Sequence, residues 1–293
     1  MYDIIIVGMG ISGVTAGIYA KRSKKNVLLL DKGPVGGLLN KIDMISNYPG
    51  LVDIPGYSFA EALEKQLKEL DCSYRFEEVV SILDLNEFKK VVTNKGEYTC
   101  KNIILAMGRS PKYLGLKQEK ELLGRGISTC ATCDAFFYKD KDVAVVGTGN
   151  SALQEALYLA NIAGHIYLLN RRDGFRGDPV LVEQVKNNKN IEVLYNVSVK
   201  EFVRNDNSLE GVILDNGKKL AVSGVFIYVG YRPATDFLDK DLLDDEGYVK
   251  VNEKLETSIK GVYAIGDVVK KDLYQLVVAA SDGARVIFNM NKN

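Results

Sequence analysis

Twice along this chain an apolar strand runs into a glycine-rich turn, a helical stretch and a second apolar strand. The first copy spans residues 3–31: the run Ile4-Ile5-Ile6-Val7, the turn Gly8-Met9-Gly10-Ile11-Ser12-Gly13, then Asn26-Val27-Leu28-Leu29-Leu30-Asp31. The second spans residues 142–172: Val143-Ala144-Val145-Val146, then Gly147-Thr148-Gly149-Asn150-Ser151-Ala152, then Ile166-Tyr167-Leu168-Leu169-Asn170. A strand that is apolar at every position has no face to give to water, so it belongs in a parallel sheet covered on both sides. The expected fold class is α/β, with two Rossmann-like, three-layer ββα-type domains and the second inserted into the first.

The insertion is read from the linkers. At 293 residues the chain has length for about two domains. Gly108-Arg109-Ser110-Pro111-Lys112 follows one apolar strand, and Gly230-Tyr231-Arg232-Pro233-Ala234-Thr235 follows another. Both carry the Gly and Pro that mark a chain leaving one element for the next. Beyond them come only a strand at Gly261-Val262-Tyr263-Ala264-Ile265 and a helix from about Gln275, too little for a domain. The expected organisation is a discontinuous first domain, residues 1–111 and 241–293, and an inserted second domain, residues 112–240.

Composition removes several function classes. Thirty-eight Lys and Arg balance thirty-eight Asp and Glu, which gives no electrostatic footprint for nucleic acid or an anionic membrane. His165 is the only histidine, so a His-rich metal centre is excluded and no metal is expected. Four cysteines are too few for a secreted disulfide scaffold. The opening residues have no basic region and only a four-residue apolar run, and no stretch nears the roughly 18 apolar residues of a membrane span. The cytoplasm is the expected location.

Gly8-x-Gly10-x-x-Gly13, between a strand and a helix, is the dinucleotide fingerprint in its required context. Gly8 permits the tight turn, Gly10 the approach of a pyrophosphate, and Gly13 close helix–sheet packing. Asp31 ends the second strand, where a carboxylate can accept from ribose hydroxyls. The competing reading is a ligand-free glycine turn. Gly147-x-Gly149-x-x-Ala152 is the Gly/Ala form of the same device. Its second strand ends not in an acid but in Asn170-Arg171-Arg172, with Arg176 beyond. Three guanidinium forks suit a 2′-phosphate and favour NADP(H) over NAD(H); the competing reading is a solvated basic turn.

Cys130-Ala131-Thr132-Cys133-Asp134 precedes the second copy, and a CxxC near a βαβ pattern reads as a redox dithiol. Asp134 is placed to exchange the proton that thiolate chemistry needs. The competing zinc reading needs two further ligands, and only Cys72, Cys100 and His165 remain, without ligand spacing. Two dinucleotide sites and one dithiol define a relay. Direct hydride transfer to a disulfide is awkward and a flavin between them solves it, so the first site is expected to hold FAD and the second NADPH.

These residues resemble the low-molecular-weight, bacterial-type thioredoxin reductase family over essentially the whole chain. The stretches that carry the resemblance are the two glycine turns, Gly36-Gly37, Asn47-Tyr48-Pro49-Gly50, Ser128-Thr129-Cys130-Ala131-Thr132-Cys133-Asp134, Arg171-Arg172-Asp173-Gly174-Phe175-Arg176, and Gly261-Val262-Tyr263-Ala264-Ile265-Gly266-Asp267-Val268. The resemblance implies a homodimer that reduces thioredoxin and alternates between two domain orientations. It implies that Cys133 faces and bonds to the flavin, that Cys130 attacks the substrate disulfide, and that Asp134 is the acid/base. It implies Asp267 at the ribityl chain, with Gln275 and Asn47 near the isoalloxazine. The candidate cofactor-binding set is Gly8, Gly10, Ser12, Gly13, Asp31, Lys32, Gly36, Gly37, Leu38, Leu39, Asn47, Ala106, Gly108, Gly147, Gly149, Asn150, Ser151, Ala152, Arg171, Arg172, Arg176, Gly266, Asp267, Tyr274, Gln275 and Leu276.

The sequence departs from the family pattern at four places. Asn170 replaces the usual His before the two Arg, Leu38 the usual Gln, Tyr274 a common Arg, and Ala106-Met107-Gly108 the alanine-threonine-glycine strand end. Tyr274 and Leu38 remove polar groups near the flavin. Two alternatives follow: a ferredoxin-dependent reductase of the same fold, and a non-enzymatic FAD-binding redox sensor.

Overall fold

Successive residues of the first strand, Tyr2–Val7, point into two different cores. Ile4 and Ile6 join Leu29 and Ile104 on one face of a sheet. Ile5 and Val7 join Leu28, Leu30, Ile103 and Leu105 on the other. The continuous apolar runs are thus period-two strands with both faces buried, as their composition requires. The computed structural model describes residues 1–42, 44–205 and 208–292.

The chain divides into two units, Met1–Ser110 with Arg232–Asn293, and Pro111–Tyr231. The return crossing falls nine residues before the expected 240/241 boundary. Phe237 and Leu238 are the reason: they pack with Val249, Val262 and Val268 in the first unit's core.

In the first unit, Tyr2–Val7 lies between Val27–Asp31 and Glu97–Leu105, parallel to both, with Ser73–Phe76 beyond Val27–Asp31. The nine-residue strand Glu97–Leu105 serves two partners along one edge. Its first half pairs antiparallel with Lys89–Thr93, and its second half takes the returning strand Val262–Ala264 in parallel. That pairing places Gly266 and Asp267 at the strand ends where the first glycine turn begins. Helices Ile11–Arg22 and Leu276–Met290 supply Val14, Ala16, Ala20, Val286 and Ile287 to one face of the sheet. They approach closely because Gly283 has no side chain: a Cβ there would stand 2.4 Å from the Ser12 carbonyl oxygen.

The second unit repeats the scheme. Its five-stranded parallel sheet runs in the order Ile127–Ser128, Gly224–Ile227, Asp142–Val146, His165–Asn170, Ile191–Tyr195. Val143 and Val145 face a core that includes Leu153, Ala156 and Leu159 of helix Asn150–Leu159. Ala144 and Val146 face another, shared with the antiparallel strands Val199–Arg204 and Leu209–Leu214. Among the described residues no helix is long and apolar enough to cross a membrane.

Gly283→Ala is expected to lower stability by about 1–3 kcal/mol through overpacking, read as an earlier urea midpoint. An unchanged midpoint would show that the two helices separate without cost.

Candidate active site

Both glycine turns are built on one contact. Gly8 has φ +110° and Gly147 φ +141°, the region that favours glycine. A Cβ on Gly8 would lie 2.3 Å from the Ala106 carbonyl oxygen, and one on Gly147 would lie 2.3 Å from that of Tyr228. Each acceptor closely follows the neighbouring parallel strand, so the turn is wedged against the adjacent strand end. A Cβ on Gly13 would collide with the Gly8 oxygen at 2.0 Å, which fixes the start of the first helix against its own turn. Gly10 and Gly149 differ: a Cβ there would meet nothing within 4 Å. They are the N-caps of helices Ile11–Arg22 and Asn150–Leu159, and neither helix start has a side-chain cap. Open space in front of uncapped N–H groups is what a pyrophosphate needs.

Around the first turn, Asp31 accepts from the Met9 N–H at 2.7 Å through Oδ2 and from the Gly33 N–H at 3.0 Å through Oδ1. The Gly36 N–H donates to the Met9 carbonyl at 2.8 Å, drawing Gly36-Gly37 alongside Gly10. Gly266 is held by the buried Asp282 carboxylate, which accepts its N–H at 2.9 Å. Asn47 donates to Gln275 Oε1 at 3.2 Å, and Leu276 opens the last helix. Ser12 and Ala106 are buried in the walls of the turn, and Gly108 sits at φ +66° beyond it. Lys32 is exposed and paired with Glu78. Leu38 is half-buried, whereas Leu39 is buried in the core.

Tyr274 does not leave its neighbourhood without a cation. The Arg109 guanidinium lies 3.8 Å from the centre of its ring and donates to Asp267 Oδ2 through two nitrogens, at 3.2 and 3.1 Å. Sequence reading missed Arg109, because Asp267 and Tyr274 lie more than 150 residues further along the chain.

The second turn opens onto a cavity of about 670 Å³, lined by residues 147–152, Lys112, Leu114, Thr129, Tyr228, Arg171 and Arg176. Asn150 exchanges two hydrogen bonds with Asp178, so its side chain braces the helix start, while Ser151 is exposed and Ala152 buried. Arg176 is tied to the turn by its N–H to the Thr148 carbonyl at 2.9 Å. Arg172 is exposed and does not line the cavity. Asn170 is fully buried; its amide donates to Gly174 O at 3.1 Å and accepts the Arg172 N–H at 2.9 Å, so it shapes the turn that carries the arginines. The buried Glu119, unnoticed in the sequence, accepts the N–H groups of Leu114, Gly115 and Leu116 and fixes another wall.

Cys130 and Cys133 form a disulfide. Cys130 is buried and Cys133 exposed. Ser128 Oγ accepts the Cys130 N–H at 3.0 Å, and the Tyr228 hydroxyl accepts the Ala131 N–H at 2.8 Å. Burial drives the Tyr228 phenol strongly upward, so it stays protonated. Asp134 closes the four-residue helix Ala131–Asp134. One residue beyond it, after the buried Ala135, Phe136 and Phe137 are 73% and 72% exposed, an adjacent apolar pair that sequence reading also passed over. Among the described residues no three His, Cys, Asp or Glu side chains are grouped to hold a metal ion.

The family model for pyridine nucleotide-disulphide oxidoreductases matches residues 2–284. The chain belongs to that family and, within it, to the low-molecular-weight thioredoxin reductases. It is 37% identical to the thioredoxin reductase of Helicobacter pylori over 97% of this chain and 96% of that one. The crystal structure of Lactococcus lactis thioredoxin reductase in the FR conformation superposes with a TM-score of 0.93 at 32% identity, covering 100% of this chain and 98% of that one. A ferredoxin-flavin thioredoxin reductase from Clostridium acetobutylicum superposes with a TM-score of 0.55 at 31% identity, covering 99% and 97%.

Cys72 and Cys100 lie in opposite cores of the first unit's sheet, and burial pushes their thiols up to about 11 and about 12. At pH 8 both remain protonated and unreactive. Alkylation of the reduced, native chain followed by peptide mapping is expected to mark Cys130 and Cys133, and to reach Cys72 and Cys100 only in denaturant. Equal labelling of all four would contradict this.

Proposed function

We propose that the chain is a thioredoxin-disulfide reductase that passes two electrons from NADPH, through FAD, to the Cys130–Cys133 disulfide and on to the disulfide of thioredoxin. The observation that carries this reading is the pairing, within the second unit, of a redox disulfide with a glycine-turn cavity flanked by Arg171 and Arg176. When bound, FAD supplies the exchange between a hydride donor and a thiol couple.

The residues fit both cofactors. Gly10 and Gly149 leave the space that a pyrophosphate fills, in front of free helix N–H groups. Asp31 accepts ribose hydroxyls on the first site; each of its oxygens keeps a lone pair beyond its backbone bond. Arg171 and Arg176 clamp the 2′-phosphate of NADPH, with Asn170 holding their turn.

The chemistry on the protein side is a dithiol exchange. With the pair reduced, Cys130 attacks one sulfur of the substrate disulfide and a mixed disulfide forms. Cys133 then attacks Cys130, restoring the Cys130–Cys133 bond and releasing the substrate as a dithiol. Two electrons and two protons leave with the product, and Asp134 handles the protons. Cys130 is buried, so the turn must uncover it before attack. Phe136 and Phe137 give the protein substrate an apolar landing beside the pair. The enzyme is a cytoplasmic homodimer on this reading. The arginine-lined cavity favours NADPH over ferredoxin as donor.

Anaerobic stopped-flow with NADPH, NADH and reduced ferredoxin in parallel tests the donor: NADPH is expected to bleach the flavin fastest. Cys133→Ser is expected to keep FAD and to lose thioredoxin reduction; turnover at the wild-type rate would refute the dithiol role. Arg171→Ala combined with Arg176→Ala is expected to raise the KM for NADPH by roughly tenfold or more, as loss of charge-assisted hydrogen bonds does, with little change for NADH. Equal effects on both would remove the 2′-phosphate assignment.

A further inference from the structure

Arg109 brings a cation to the first unit's glycine turn and meets Asp267 and Tyr274, both from the returning segment of the chain. It follows Glu97–Leu105, and Asp267 follows Val262–Ala264; these strands are parallel neighbours with Leu105 opposite Ala264. Both residues therefore emerge at the strand ends where open α/β sheets bind ligands. Gly266, one residue before Asp267, sits so close to the first turn that a Cβ on it would touch Ser12 Oγ at 2.5 Å.

The fork is one-sided. Nε and one terminal nitrogen of Arg109 both donate to Asp267 Oδ2, and among the described residues Oδ1 has no hydrogen-bond partner. The guanidinium is sandwiched from the other side by the Tyr274 ring at 3.8 Å, which itself stacks on Tyr248 with ring centres 6.1 Å apart and receives the Lys271 N–H on its hydroxyl at 3.3 Å. Burial and the Tyr248 hydroxyl hold the Tyr274 phenol up at about 12, so a neutral ring faces the cation. Arg109 and Asp267 side chains are 19% and 21% exposed, too enclosed for the pair to be a screened surface contact.

We propose that Arg109 is a positioning residue of the flavin site: it immobilises the Asp267 carboxylate, leaving Oδ1 for a cofactor hydroxyl, and supplies the positive charge of that part of the site. This rests on the FAD reading above. Without Arg109 the carboxylate loses both its orientation and its counter-charge in a partly enclosed place. Cofactor affinity falls on the first count. The midpoint potential moves on the second, because the reduced flavin carries more negative charge than the oxidised one and is disfavoured beside an uncompensated carboxylate.

The test is titration of the FAD-stripped full chain with FAD, with the midpoint potential of the bound flavin measured alongside. Arg109→Ala is expected to weaken FAD binding by about tenfold and to make the potential more negative, an effect that loss of packing alone would not produce. Tyr274→Arg in the Arg109→Ala background is expected to recover part of both, since a guanidinium from position 274 reaches the same place. Arg109→Lys, which keeps the charge and loses the fork, carries the test if the alanine chain does not fold: FAD binding several-fold weaker at an unchanged potential is expected. Wild-type affinity and potential in Arg109→Ala, or wild-type affinity in Arg109→Lys, would overturn the proposal. A wild-type chain that takes up no FAD would overturn the flavin reading itself.

Discussion

Both glycine turns of this protein depend on one steric fact: a backbone carbonyl occupies the place where a side chain would be. The Ala106 oxygen fills it at Gly8 and the Tyr228 oxygen at Gly147, each about 2.3 Å from the missing Cβ. In both units the carbonyl closely follows the strand beside the turn. The strand–turn–helix unit cannot shift along its neighbour without meeting that oxygen, so the helix start is locked in depth. The space at Gly10 and Gly149 is open because the positions before them, Gly8 and Gly147, are closed.

The same economy joins the glycine-turn cavity and the disulfide in the second unit. Tyr228 closes the Gly147 turn with its carbonyl, lines the cavity, and holds the Cys130–Cys133 turn through its hydroxyl on the Ala131 N–H. A single residue thus references both reactive regions to the strand Gly224–Ile227. In the first unit Asp282 plays a comparable part from inside the last helix, fixing Gly266 and with it the start of the Asp267 segment.

What was legible in the sequence was whatever local chemistry decides. The runs at residues 4–7 and 143–146 could only be doubly covered strands, and the glycine spacing could only be a tight approach to strand and helix. The CxxC was legible because its ring closes within four residues. Long-range contacts were not. Phe237 and Leu238 carry no local mark of the unit they join, and only the first unit's core takes them up. Arg109 looks like one more loop arginine until Asp267 and Tyr274 arrive from the far end of the chain. Arg172 looks equivalent to Arg171, and only the turn geometry set by Asn170 separates the one that lines the cavity from the one that does not. Nothing in the local sequence marks Phe136 and Phe137 as a surface pair; only the fold exposes them.

The buried Asn170 amide has a consequence for how such a site diversifies. It dictates the course of residues 170–174 through its own two hydrogen bonds and asks nothing of the arginines displayed around it. The scaffold and the charges are separate modules. If these arginines read the coenzyme as proposed, its preference can be rewritten by exchanging surface letters alone, without reopening the interior of the domain.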